Sequence, residues 1–93
     1  MRSYEIQKTA MNLAHLIKSQ FDTFGEALSK AWKIAKVCLG YTDEITFVKG
    51  DDSIRTAKVE KILIKSYSKG CMKFIEKLNG TTQFRAFRVE KIK

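Results

Sequence analysis

Apolar residues recur at helical spacing in the first part of the chain, and this pattern changes after Gly40. The clearest helical segment follows Thr23, which precedes Glu26 at the spacing of a capping box. Gly40 is suited to end this helix in the left-handed conformation. Beyond the cap, one apolar stripe of 3.6-residue period consists of Phe24, Leu28, Ala31, Trp32, Ala35 and Cys38.

The residues ahead of this segment predict another helix, from Ser3 to about Ser19. Its apolar stripe has the same period and comprises Ile6, Ala10, Leu13 and Ile17. Only the short link Gln20–Asp22 separates the two segments. We therefore expect the helices to pack as an antiparallel hairpin or at a steep angle.

After Gly40 the apolar period falls to about two residues, which is typical of β-strands. Turns separate the alternating segments: Gly50 is free to take positive φ in the turn 49–53, and Asn79-Gly80 is a strong hairpin signal. A final helical turn in the tail is predicted to tuck Val89 and Ile92 inward. The pattern predicts five short strands with approximate bounds Glu44–Lys49, Ile54–Val59, Ile62–Tyr67, Cys71–Lys77 and Thr81–Phe87.

Together these elements predict a single α+β domain. A chain of 93 residues can bury one modest core. Residues 1–40 supply the two helices, and residues 41–93 supply five antiparallel strands that we expect to curl into a small barrel or a strongly bent sheet. The stripe of the second helix, including Trp32, would then cover an open side of the barrel.

Positive charge is concentrated in the second half of the chain. Eighteen Lys and Arg residues against ten Asp and Glu residues give a formal net charge of +8. Residues 53–93 hold eleven of the basic residues and three of the acidic ones, so the preceding part is close to neutral. This uneven distribution of positive charge favours an anionic partner: nucleic acid, an acidic protein or an anionic membrane surface. The alternative is that these lysines only solvate strand faces.

Nucleic-acid binding is the leading functional hypothesis, because small barrels present strand faces on which cations meet phosphates and aromatic rings stack on bases. Alternation places Phe84 and Ala86 on one strand face and Arg85 and Phe87 on the other. Burial of Phe84 under the helices remains an alternative to stacking. Lys30, Lys33 and Lys36 would extend the interface along the second helix. The candidate interface residues are Arg55, Lys58, Lys65, Tyr67, Lys69, Lys73, Phe84, Arg85 and Arg88.

Catalytic signatures are missing from the sequence. It has no glycine-rich phosphate loop, no paired metal ligands and no nucleophile elbow, so we expect neither an enzyme nor a cofactor or metal site. His15 stands alone, and Asp51-Asp52 is typical of a turn. Cys38 and Cys71 are expected to be reduced thiols of a cytoplasmic protein, although a disulfide between them stays open. No transmembrane run or secretory signal is evident.

Two segments resemble known families. MNLAHLIKSQFDTFGEALSKAWKIAK resembles an N-terminal helical element of small phage and mobile-element proteins, which carries an EALxxAW motif. ITFVKGDDSIRTAKV and QFRAFRVEKI resemble SH3-like small β-barrels and, more distantly, WYL-type domains, although the W-Y-L triplet is absent. The resemblance to the WYL closing pattern involves Phe84, Arg85, Phe87, Arg88 and Ile92.

The resemblance implies a five-stranded SH3-like barrel behind the helical hairpin. It also supplies an alternative function. A small protein of phage or mobile-element origin would act as a protein-interaction module that binds a host protein or defence complex, by strand addition or through an aromatic groove. Membrane binding ranks last, because the polar face of the first helix is not strongly cationic.

Overall fold

The protein is an α+β fold with its helices first and its strands after them. The computed structural model describes residues 3–93, and the side chains of residues 4–93. The strands form one antiparallel sheet in the order β1-β2-β3-β4. In chain order the elements are α1 (Ser3–Ile17), a 3₁₀ turn (Lys18–Gln20), α2 (Phe24–Cys38), β1 (Glu44–Val48), β2 (Ile54–Ser68), β3 (Cys71–Leu78), β4 (Thr81–Arg88) and a second 3₁₀ turn (Val89–Lys91).

Both ends of α2 form as predicted. The Thr23 hydroxyl accepts a hydrogen bond from the Glu26 N–H at 3.2 Å, and this hydroxyl lies 3.3 Å from a carboxylate oxygen of Glu26. At the other end Gly40 has a φ of 81°. The N–H groups of Gly40 and Tyr41 donate to the carbonyls of Val37 and Lys36. These two bonds define a Schellman motif, in which glycine ends the helix.

The buried side of α2 is rotated away from the predicted stripe. Phe24 is exposed, and Trp32 is only partly buried. Small alanine side chains let neighbouring elements approach closely, which moves the large side chains to the margins of the contact. Of the predicted stripe, Ala31 and Ala35 are therefore fully buried, whereas Trp32 packs only partly against the core. The buried residues of α2 are Ala27, Ala31, Ile34 and Ala35.

The second and third predicted strands are one strand, so the sheet has four strands and not five. β2 runs from Ile54 to Ser68, but its pairing with β3 shifts register between Val59 and Lys61 and again beyond Leu63. Such irregularities bend a strand and break its alternation. In the sequence, a break in alternation looks like the end of a strand. For this reason β2 was predicted as two separate strands.

The sheet is not closed into a barrel. After the second 3₁₀ turn, Ile92 forms an isolated antiparallel bridge with Phe47, and the Lys93 N–H donates to the Thr46 carbonyl at 2.9 Å. This bridge is too short to be a fifth strand, so the predicted five-stranded barrel is not confirmed. The predicted helical turn of the tail is confirmed, since Val89 and Ile92 are buried.

One hydrophobic core joins the helices to one face of the sheet. α2 contacts β1 and β2. Inside the sheet, the rings of Phe47, Phe74 and Phe87 cluster with their centroids 5.6–6.2 Å apart, a spacing at which aromatic rings attract one another. We call the sheet face that carries these three rings the core face, and the opposite face the outer face.

Candidate nucleic-acid interface

Strand register places a mixed basic and apolar patch on the outer face. Phe84 pairs with Ile75, and Ala86 pairs with Lys73. Across the next strand boundary, Lys61 pairs with Ile75, and Leu63 pairs with Lys73. Neighbouring strands lie about 4.8 Å apart, so these positions form two rows across β2, β3 and β4. The outer-face patch consists of Lys61, Leu63, Lys73, Ile75, Phe84 and Ala86.

Phe84 is the most exposed large hydrophobic residue in the described part of the chain, with 72% of its surface accessible. The helices cover the core face, and the alternation of β4 turns Phe84 to the other side. β4 is also an edge strand, paired only with β3. Burial of Phe84 under the helices is therefore excluded, and its ring is free to stack.

Exposed lysines lie on one side of this ring, on strands β3 and β2. Lys61 and Lys73 belong to the patch, and Lys77 follows on β3, where it pairs with Thr82 of β4. Lys58 lies on the same face beyond the first register shift, opposite Glu44 of β1. Sequence reasoning included Lys58 and Lys73 but missed Lys61 and Lys77. Alternation along each strand shows which of its residues share a face, but only the pairing register shows that these lysines share a face with Phe84.

Lys65 and Lys69, two further predicted residues, are exposed at one end of the sheet. Lys65 lies in the irregular part of β2. There the Ser66 hydroxyl donates to the Leu63 carbonyl and accepts from the Lys73 N–H, so a side chain replaces a ladder partner. Lys69 lies in the β2–β3 turn with a φ of 51°. Neither residue belongs to the two rows of the patch.

Arg55 and Arg85, also predicted, lie on the core face. Arg55 pairs in register with Phe47, and Arg85 with Phe74. Both guanidinium groups donate to Glu76, whose surface is only 2% exposed. The Arg85 Nε lies 3.2 Å from one carboxylate oxygen, and Arg55 binds the other. Both arginines therefore pair with a buried carboxylate on the core face, remain partly exposed there, and do not extend the outer-face patch.

Arg88 is held at the end of β4. Its Nε donates to a carboxylate oxygen of Glu90 at 2.7 Å, and its Nη1 lies 3.8 Å from the Cys71 Sγ. The hydrogen bond and charge of Glu90 raise the pKa of the Arg88 guanidinium. Arg88 therefore lies at one end of the outer face, at a distance along the strand from Phe84.

Tyr67, the second predicted aromatic residue, is less exposed than Phe84. It is partly buried against the core. Its hydroxyl is buried, with no hydrogen-bond partner among the described residues. A ring in this position has little surface for stacking on a base. Of the two predicted aromatic residues, only Phe84 offers an open ring.

The lysines of α2 hold the tail of the chain. Lys30 Nζ donates to the Ile92 carbonyl, and Lys33 Nζ donates to the Lys93 carbonyl. Burial, together with the positive charges of Lys33 and Lys93, lowers the pKa of Lys30. The predicted extension of the interface along α2 is therefore not supported for Lys30 and Lys33.

A separate apolar groove lies between the two helices. Tyr4 and Met11 of α1 line it, with 67% and 46% of their surfaces exposed. Leu28 and Trp32 of α2 form the opposite wall. The molecule thus has a basic aromatic surface on its sheet and an apolar surface on its helices.

Other chemistry is sparse in the described structure. Cys38 and Cys71 are free thiols, and burial raises the pKa of Cys38. Residues 3–93 contain no group of three or more side chains that could hold a metal ion. The same residues include no helix of the length and apolarity needed to cross a membrane.

The chain matches no protein-family model, no curated protein and no solved structure. Function must therefore be inferred from the surfaces themselves. The outer-face patch can stack a planar ring on Phe84 and bind anions through its lysines, whereas the helix groove can accept apolar side chains.

Proposed function

We propose that this protein binds single-stranded nucleic acid through its outer-face patch. The observation that carries the proposal is the exposed Phe84 ring on an edge strand, with Lys73 and Lys77 on the neighbouring strand and Lys61 on the next. The proposal assigns the chain a binding role in the cytoplasm, with no reaction and no cofactor.

Base stacking would account for a solvent-exposed aromatic ring, Phe84, on the outer face. Every base has an apolar face, and stacking on an aromatic side chain contributes about 1–3 kcal/mol per base. Ile75 lies beside Phe84 and widens the apolar platform. The bases of a duplex are already stacked on one another, so this platform favours single strands or loops.

The lysines supply the electrostatic part of the interaction. Each Lys–phosphate contact releases condensed counterions, so affinity falls as salt is added. Lys61, Lys73 and Lys77 lie on β2 and β3, on one side of the ring, where the backbone of a strand stacked on Phe84 would pass. Glu76, the acidic residue of β3, faces the core side, whereas the exposed Glu60 lies next to Lys61 in the chain.

The test is a fluorescence-anisotropy titration with a short single-stranded DNA or RNA at several salt concentrations. Three phosphate contacts predict a slope of about −2 for log K against log salt. Phe84→Ala should weaken binding at every salt concentration without changing the slope, whereas Lys73→Gln should make the slope shallower. Absence of binding at low salt would refute the proposal. If Phe84→Ala bound with the same affinity as wild type, base stacking on Phe84 would be refuted.

We further propose that the sheet is an open relative of the SH3-like barrel. In support, the chain returns to β1 through the Phe47–Ile92 bridge after a 3₁₀ turn. Origin in a phage or mobile element stays a prediction from the EALxxAW resemblance.

The helix groove favours a second candidate function, a protein-interaction module. Tyr4, Met11 and Trp32 form an apolar surface of the kind that commonly marks protein-binding sites. A host protein or defence complex would be the partner under this hypothesis. Capture of one protein partner after nuclease treatment, lost in a Met11→Glu variant, would support it. Capture that survives this substitution would place the contact elsewhere.

A further inference from the structure

A cleft next to the outer-face patch gathers five basic side chains. It lies between the turn after β1 and the end of β4, and its volume is about 490 Å³. Ligand pockets in proteins commonly measure about 300–1,000 Å³. We call it the basic cleft, and its charged lining consists of Lys49, Arg55, Arg85, Arg88 and Lys91.

Positive charge exceeds negative charge in the basic cleft. Two carboxylates pair with its cations: Glu76 with Arg55 and Arg85, and Glu90 with Arg88. Five cations against two carboxylates leave an excess of three positive charges. Asp51 and Asp52 follow in the adjoining turn but do not line the cleft. The Asp51 carboxylate instead accepts from the Ser53 N–H and hydroxyl, at 3.1 and 2.6 Å.

Glu76 positions two of these cations in advance. Its side chain is only 3% exposed, and each of its oxygens holds one guanidinium. The Arg55 and Arg85 side chains stay 31% and 46% exposed. A guanidinium has five N–H donors, so these contacts leave further donors for a ligand. Donors fixed before binding lose less entropy when the ligand arrives.

We propose that the basic cleft binds a phosphate monoester, specifically the terminal phosphate of a nucleic-acid strand on the outer-face patch. A phosphate monoester carries close to two negative charges at neutral pH and presents three acceptor oxygens. It therefore matches a concave site with fixed guanidinium donors better than an internal phosphodiester, which carries one charge.

The position of the basic cleft links it to the patch. Arg85 and Ala86 border both the cleft and the depression around Phe84. A strand that lies on the outer face and bends over the β4 edge at Ala86 would reach the cleft with its end. The placement of the strand rests on the proposed function, but the charge and geometry of the phosphate site do not.

The experiment compares one single-stranded oligonucleotide in three forms: 5′-phosphorylated, 3′-phosphorylated and unphosphorylated. Anisotropy should show at least about tenfold tighter binding of one phosphorylated form, as expected for one or two charge-assisted hydrogen bonds. Competition with a nucleoside monophosphate and with inorganic phosphate separates a strand-end site from a site for free phosphate compounds.

Matched variants locate the effect. Lys49→Gln/Lys91→Gln removes two exposed charges from the basic cleft and should reduce the preference for the phosphorylated strand. Lys61→Gln/Lys77→Gln removes the same charge from the outer face and should weaken all three oligonucleotides while keeping the preference. Glu76→Gln releases the two guanidinium groups and should reduce the preference, provided that circular dichroism shows a folded protein.

The outcomes separate the two proposals. Equal affinities of the three oligonucleotides would overturn the phosphate site and leave nucleic-acid binding intact. Binding of the nucleoside monophosphate or inorganic phosphate without oligonucleotide binding would support the site and overturn the proposed function. A preference that is unchanged in Lys49→Gln/Lys91→Gln would also overturn the assignment to this cleft.

Discussion

At the residue scale, Glu76 links the core to the candidate sites. A buried carboxylate is costly unless it is paired and hydrogen-bonded. Arg55 and Arg85 meet this requirement from two different strands. Alternation along β3 would place an apolar residue at this core-face position. Glu76 could not be predicted as a network centre, because its partners come close only through strand pairing.

Cys38 gives a residue-scale prediction about pH. Burial raises its pKa above 9.0 in the folded protein, so between pH 9.0 and the folded pKa the folded state binds more protons than the unfolded state. Stability from the neutral thiol is complete below pH 9.0 and is lost as the pH rises through the folded pKa.

Urea denaturation of wild type and Cys38→Ala between pH 7 and 10.5 measures this effect, since the other titrating groups are shared. The free energy of unfolding of wild type relative to the variant should be constant up to about pH 8 and decrease beyond pH 9. If the free-energy difference between wild type and Cys38→Ala stayed constant from pH 7 to 10.5, the Cys38 thiol would have the same pKa in the folded and unfolded states, which would contradict this prediction.

At the element scale, the two ends of α2 were predictable because caps are local. Thr23 and Glu26 are neighbours on one helical turn, and Gly40 follows directly. The centre of the buried stripe was less predictable. Ala27 is fully buried and Trp32 only partly, and which side of the helix is buried depends on how α2 packs against the other elements.

The loop glycines provide the element-scale prediction. Gly40 has a positive φ, and a Cβ there would meet no atom within 4 Å, so Gly40→Ala tests backbone conformation alone. It should lower the free energy of unfolding by about 1–2 kcal/mol, measured by urea denaturation.

Gly50→Ala is the matched control. Gly50 also has room for a Cβ, but its φ is not positive; Asp52, with a φ of 68°, takes the left-handed position of that turn. The predicted turn is present, but it does not use the freedom of Gly50 to take positive φ. Gly50→Ala should be close to neutral, and equal losses in the two variants would contradict this account of the helix end.

At the scale of the whole molecule, the sequence predicted helices before strands, an α+β class and a basic second half. It did not predict which basic residues share a surface, because that depends on strand register. Lys61 and Lys77 join Phe84 through pairing, whereas Arg55 and Arg85 turn to the core face. The sequence pattern also predicted two strands in place of β2, because the irregular pairing of β2 with β3 interrupts the alternation.

The most direct measurement is amide chemical-shift mapping of the isotope-labelled protein with an unphosphorylated single-stranded oligonucleotide at low salt. The proposal predicts the largest shifts at Lys61, Lys73, Ile75 and Phe84 on the outer face. Shifts concentrated on the helix groove around Met11 and Trp32, or no shifts at all, would contradict it.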